Sequence, residues 1–439
     1  MALYGQETEK AITNFPITGV PFSRDVAYDI ALVKKCAAEA HKELGTLETH
    51  IADAIVQASK ELVDGMYDDQ IVVDQIQGGA GTSMNMNVNE IIATRASALC
   101  GVSVHSLDHV NKSQSTNDAV PTAFKITLLK QLDKLIATYQ NYHEESKCKS
   151  KEFEHVLKVG RTHLQDAVPI TLGQEFGAHA SAISHDIERL KHAKTALYEL
   201  NIGGTAIGTG LNATKRFAEK IVTLLQKETG YPLALSSDLV YNTQYWDSIM
   251  EVSATLTILA TNSIKFMNDL RLLASGPYAG IGEISFATAQ KGSSIMPGKV
   301  NPVMAEMMNQ IAFQVLGNHE TIRMGVQASQ LELNVMGPII IKNLLESLHI
   351  LAAGTTQFTV QGLRLITGNE KRCSDLLERS FALATVLCPI LGYDKTAELV
   401  EKAQKENKTL KEIVIENQIM SEEEYNNLLR DPNLVRLKS

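Results

Sequence analysis

Residues 117–142 read Asn117-Asp118-Ala119-Val120-Pro121-Thr122-Ala123-Phe124-Lys125-Ile126-Thr127-Leu128-Leu129-Lys130-Gln131-Leu132-Asp133-Lys134-Leu135-Ile136-Ala137-Thr138-Tyr139-Gln140-Asn141-Tyr142. Val120, Phe124, Leu128, Leu132, Leu135, Tyr139 and Tyr142 recur at steps of three and four, which places them on one stripe of an α-helix. Similar patterns run from about Thr171 to Leu200, from Trp246 to Ala274 and from Pro302 to about Gly325. Only 11 prolines interrupt the chain, and no sustained alternation calls for a sheet. The pattern predicts an all-α fold built on a central bundle of unusually long helices.

Working outward, helices are expected near Asp29 to Leu44, His50 to Asp64 and Asn87 to Leu99. The chain then divides into an N-terminal helical domain (1–116), the central long-helix domain (117–369) and a small C-terminal helical domain (370–439). The last holds charged helices separated by Gly392, with Glu422, Glu423 and Glu424 on a solvated face.

A chain of 439 residues, 44% hydrophobic and 21% charged, can bury a large core, and a net charge of -9 argues against nucleic acid as a partner. The five cysteines are scattered and show no C-x-x-C spacing, which fits a reducing cytoplasm. Met1-Ala2-Leu3-Tyr4-Gly5-Gln6 has neither the basic nor the apolar region of a leader, and uncharged runs such as Val252 to Ile264 are too short and polar to span a bilayer. A soluble cytoplasmic protein is expected.

Five stretches interrupt the helical pattern with chemistry. Gln77-Gly78-Gly79-Ala80-Gly81-Thr82-Ser83 could cradle an anion, although Thr82 and Ser83 could equally cap the next helix. Asn111 to Asp118 is a run of eight polar residues, more than a cap requires, so its surplus donors suit a ligand's oxygens; a solvated loop is the alternative. His105, Asp108 and His109 just upstream imitate metal ligands, but a solvated loop is favoured there. Gly160-Arg161-Thr162-His163-Leu164-Gln165-Asp166-Ala167-Val168-Pro169 reads as a turn before a long helix, with Thr162 and His163 where a helix end meets a ligand. Glu175 and His179 on that helix are spaced i, i+4, not the Glu-x-x-His of di-iron bundles, so no metal site is read there. Gly203 to Gly210 lacks the dinucleotide spacing and reads as a tight connection between helices.

The fifth stretch is Gly292-Ser293-Ser294-Ile295-Met296-Pro297-Gly298-Lys299-Val300-Asn301-Pro302. Its glycines allow mobility, and Asn301-Pro302 reads as an N-cap followed by a first-turn proline, so a helix is expected from Pro302. Lys299 and Asn301 then stand at a helix N-terminus suited to a carboxylate. The P-loop alternative fails, because five residues separate Gly292 from Gly298 and Val300 follows the lysine.

This loop resembles the signature loop of the aspartase/fumarase superfamily. Gly79 to Asn89, Asn111 to Pro121, Gly160 to Phe176 and Gly203 to Asn212 are similar to its other motifs, in the same order. Within the superfamily, Asn14-Phe15-Pro16-Ile17-Thr18-Gly19, Thr82-Ser83 and Ser115-Thr116-Asn117 resemble the aspartate ammonia-lyase form, whereas Lys10 and Tyr278 stand where that group carries arginine. The resemblance implies a lyase that reversibly eliminates ammonia from L-aspartate to give fumarate, without metal or organic cofactor. By the same resemblance Ser293 is the base, and Glu306 pairs with and orients His163. Thr82, Ser115, Thr116 and Ser294 hold the β-carboxylate, and Thr162, Lys299 and Asn301 the α-carboxylate; Asn117 and His163 face the amino group. It further implies a homotetramer with a shared helical core. Fumarate hydratase is the nearest alternative, and a catalytically silent structural homologue a second.

The expected helix between Asn117 and Thr162 exceeds roughly thirty residues, or roughly 50 Å at 1.5 Å per residue. If both clusters serve one small dicarboxylate, different subunits must supply them.

Overall fold

The structure is a computed structural model that describes residues 2–288, 290, 292–431 and 434–435. The stretch quoted above lies in a helix of 37 residues, Thr116–Glu152. Its stripe is the buried one: Val120, Phe124, Leu128, Leu132, Leu135, Tyr139 and Tyr142 all lie in the core. The other long helices are Leu172–Thr195, Asp247–Leu273, Val303–Gln327 and Gly337–Gln357, so the chain is all-α in class. No helix is long and apolar enough to cross a membrane, among the described residues.

The chain forms two compact units, each assembled from separate stretches. One comprises the chain up to Ala137 with Ile187–Ala260 and Ile311–Ala352; the other comprises Thr138–Asp186, Thr261–Gln310 and the chain from Ala353 on. In the first, helices Arg24–Glu43, Thr49–Val63 and Thr82–Cys100 pack together through Ala27, Ile30, Val33, Ile55, Leu62, Ile91 and Ile92. In the second, five short helices between Glu370 and Leu429 enclose a core of Leu377, Leu383, Leu387, Leu399, Ile413 and Tyr425. Glu424 is not simply solvated there, since its carboxylate accepts from the Ser421 backbone and hydroxyl in a capping box.

Three two-stranded pieces occur that the hydrophobic pattern did not announce, among the described residues. The largest is an antiparallel hairpin, Leu157–Thr162 with Gln165–Thr171, in the second unit. His163 and Leu164 form its two-residue turn with φ of 54° and 59°, the geometry of a hairpin turn usually given by Asn-Gly. The stretch read as a turn before a helix is therefore the tip of a hairpin.

Candidate active site

Gly292 to Pro302 lies in the second unit and is closed at its neck by backbone contact. A Cβ on Gly292 would stand 1.8 Å from the Lys299 carbonyl oxygen, so only glycine fits. Asn301 Nδ2 donates to the Gly292 carbonyl at 2.6 Å and holds the two ends together, and its second N–H has no acceptor among the described residues. The following helix begins at Val303, one residue later than expected, because Asn301 and Pro302 carbonyls accept the first amides, those of Val303, Ala305 and Glu306. Ser294 and Lys299 are exposed and Glu306 is half-buried in the first helical turn.

Inside this loop the Ser293 hydroxyl oxygen accepts two backbone N–H groups, from Ile295 at 3.1 Å and Met296 at 2.9 Å. Two converging amide dipoles favour negative charge on that oxygen, which is what an alkoxide needs.

The hairpin tip in the same unit exposes Thr162 and His163. No hydrogen bond or ion pair joins His163 to Glu306 within the chain, among the described residues. Behind the tip, Arg161 makes a two-pronged ion pair with Glu283, at 3.1 and 3.0 Å, and Lys158 bridges Glu283 and Glu175. Glu175 thus faces Lys158, whereas His179 Nε2 is hydrogen-bonded to the Tyr142 hydroxyl at 2.6 Å, so the two share no ligand. No cluster of three His, Cys, Asp or Glu suited to a metal exists, among the described residues.

In the first unit, Thr82 opens the helix Thr82–Cys100, and the N-cap is Gly81 at φ 92° with no side-chain cap. The capping alternative for Thr82 and Ser83 therefore does not hold; the Thr82 hydroxyl donates to the Gly79 carbonyl at 2.6 Å. Asn85 on this helix donates to Thr116 Oγ1 at 3.4 Å and to Asn111 Oδ1 at 3.2 Å, tying the glycine-rich turn to the polar run.

Asp118 organises that run. One carboxylate oxygen accepts Ser115 N–H and the other accepts Gly203 and Thr205 N–H, so the buried carboxylate clamps two loops. Pro121 has no N–H for the Asn117 carbonyl, and Asn201 Nδ2 fills that place at 3.0 Å. Asn117 Nδ2 donates to the Ala206 carbonyl, which makes the glycine-rich 203–210 connection a brace for the Ser115–Asn117 segment. Lys34, fully buried, donates to Asn111 and Gln114; burial, partly offset by the Asp118 carboxylate, pushes its ammonium down to about 7. His105 caps its own short π-helical turn, Ser106–Val110, and stays exposed.

Ser115, Thr116, Asn117 and Thr82 are thus linked within one unit, and Ser293, Ser294, Lys299, Asn301, Glu306, Thr162 and His163 lie in the other. Sequence reasoning gave no role to Asp118, Lys34, Asn201, Arg161 or Glu283. Their partners lie up to 122 residues away, and no local spacing marks them.

Comparison with known proteins bears on this arrangement. A family model described as "Lyase" matches residues 1–317, and one described as "Fumarase C C-terminus" matches 383–436. An aspartate ammonia-lyase of Bacillus subtilis is 47% identical, with 97% of this chain and 91% of that protein covered. One from Helicobacter pylori strain J99 is 42% identical over 98% and 94%. The mitochondrial fumarate hydratase of Danio rerio is 39% identical over 98% and 86%. Among solved structures, a fumarate lyase:delta crystallin from Brucella melitensis, bound to cobalt, superposes with a TM-score of 0.96 at 39% identity, covering 99% of this chain and 96% of that one. The chain belongs to the aspartase/fumarase superfamily of lyases. Within that class it is an enzyme of the carbon–nitrogen lyase kind.

Proposed function

We propose that the protein eliminates ammonia from L-aspartate, reversibly, to give fumarate. The observation that carries this reading is the pair of amides on the Ser293 oxygen. An alkoxide so stabilised takes the proton from the carbon beside the β-carboxylate, and the released electron pair moves into that carboxylate as a doubly charged aci-carboxylate. The pair then returns to form the carbon–carbon double bond as the C–N bond breaks, and the amine leaves with its electrons. The carboxylate itself delocalises the carbanion, so no step calls on a metal or organic cofactor.

The aci-carboxylate needs several preorganised donors. Thr82, Ser115, Thr116 and Ser294 supply them, while Thr162, Lys299 and Asn301 hold the α-carboxylate. Asn117 and His163 face the amino group, and Glu306 orients His163. The spare N–H of Asn117 and of Asn301 supports their parts. The 37-residue helix after Asn117 supports a site shared among the subunits of a homotetramer.

The test is fumarate absorbance after addition of L-aspartate or L-malate. Formation from aspartate alone is expected. Formation from malate alone would establish a hydratase, to which the relationship with the zebrafish protein also points; formation from neither would leave a silent homologue or an untested substrate.

A further inference from the structure

The ionic cluster behind the hairpin has no part in the chemistry above, yet it is built with more constraint than packing demands. Register along the hairpin jumps between Val159, opposite Pro169, and Arg161, opposite Asp166, so Ala167 and Val168 both face Gly160. A Cβ on Gly160 would meet the Val168 carbonyl at 2.7 Å, so glycine is required. Such a bulge re-aims the next side chain, and here that side chain is Arg161. Its target, Glu283, is wholly buried and fixed at both backbone ends. Glu283 N–H donates to the Leu273 carbonyl at 2.9 Å, and its own carbonyl accepts Asn369 N–H at 2.8 Å.

We infer that Arg161 and Glu283 are positioning residues that set how the hairpin presents Thr162 and His163 to substrate. The inference rests on the roles proposed above for those two residues. Lys158, buried between Glu283 and Glu175, completes a cluster of two cations and two carboxylates. A buried ion pair is a poor source of net stability, but a two-pronged guanidinium–carboxylate contact fixes an angle as well as a distance. Arg161 is adjacent to Thr162, so the angle of that fork is transmitted to an otherwise exposed tip. Glu283 also lies nine residues before Gly292 in the sequence.

The test is a double-mutant cycle. Arg161→Lys keeps the charge and loses the fork; Glu283→Gln keeps the shape and loses the charge. Each is made in the wild-type protein and in His163→Ala, with kcat for fumarate formation from aspartate and Tm measured throughout. Arg161→Lys is expected to melt within about 3 °C of wild type and to lose about tenfold or more in kcat, as small misplacements of a reacting group do. In the His163→Ala background the same change should cost less than about threefold, because coupled residues are non-additive. Equal losses in both backgrounds, or an Arg161→Lys protein with wild-type kcat, would overturn the inference while leaving the site reading intact. Unimpaired turnover in His163→Ala alone would sink the site reading and the inference with it. If Glu283→Gln does not fold, Arg161→Lys decides the matter.

Discussion

At the scale of single residues, the account turns on an oxygen atom and the groups aimed at it. Ser293→Ala removes the acceptor of two amides and, on the proposed reading, the base itself, while leaving the rest of a largely exposed loop in place. Turnover should fall by more than the roughly 10²–10³ typical of one oxyanion donor, with Tm and substrate affinity nearly unchanged; a variant retaining most of its activity would remove Ser293 from the chemistry. With Lys299 proposed to bind the α-carboxylate in ground and transition states alike, Lys299→Ala should raise KM as well as lower kcat. Arginine should rescue it poorly, because a planar fork does not replace a point charge. An unchanged KM for aspartate would contradict that role. The residues of this loop were legible because their chemistry is compressed into eleven positions. Arg161 and Glu283 were not, because each acquires its meaning from a partner in a distant part of the chain, and Asp118 was not, because its clamp reaches from Ser115 to Gly203 and Thr205.

At the scale of elements, four of the five long helices were legible to within a few residues at most ends, because burial on one face imposes a period that sequence records directly, but Gly337–Gln357 was not singled out. The hairpin was not. Its turn uses His163 and Leu164 at positive φ instead of the usual Asn-Gly, and its bulge breaks the alternation that would have revealed the strands. At the start of Thr82–Cys100, Gly81 and not Thr82 stands at the cap, which removes one of the two readings the sequence left open there.

Packing among the helices of the second unit makes one pH-dependent contribution explicit. His179 on Leu172–Thr195 lies flat against Phe266 of Asp247–Leu273 and is hydrogen-bonded to the Tyr142 hydroxyl of Thr116–Glu152. Burial pushes its imidazolium down to about 3. The folded-state value lies below the ordinary value of about 6.5, so between them the unfolded chain binds the proton and the folded chain does not. Stability from this group is therefore fully present above about pH 6.5 and is lost as pH falls toward about 3. Tm measured between pH 8 and 4.5 should fall more steeply for the wild-type protein than for His179→Phe; parallel curves would show that His179 does not govern the slope.

At the scale of the whole molecule, the central claim is that the catalytic loops meet only through association of chains. The helix that starts beside Asn117 runs for 37 residues, about 55 Å at 1.5 Å per residue, before the chain reaches Thr162 and His163. Sequence periodicity alone made that length readable, whereas a site shared between subunits, as proposed, would leave no periodic trace. The most direct measurement is complementation. Ser293→Ala and His163→Ala proteins, each nearly inactive, are unfolded together, refolded as a mixture and assayed for fumarate formation from aspartate, with hetero-oligomers verified by differential tagging. The account predicts that activity returns, because some mixed sites receive Ser293 from one chain and His163 from another. A verified hetero-oligomer as inactive as its parents would place both residues on the same chain and contradict the shared site.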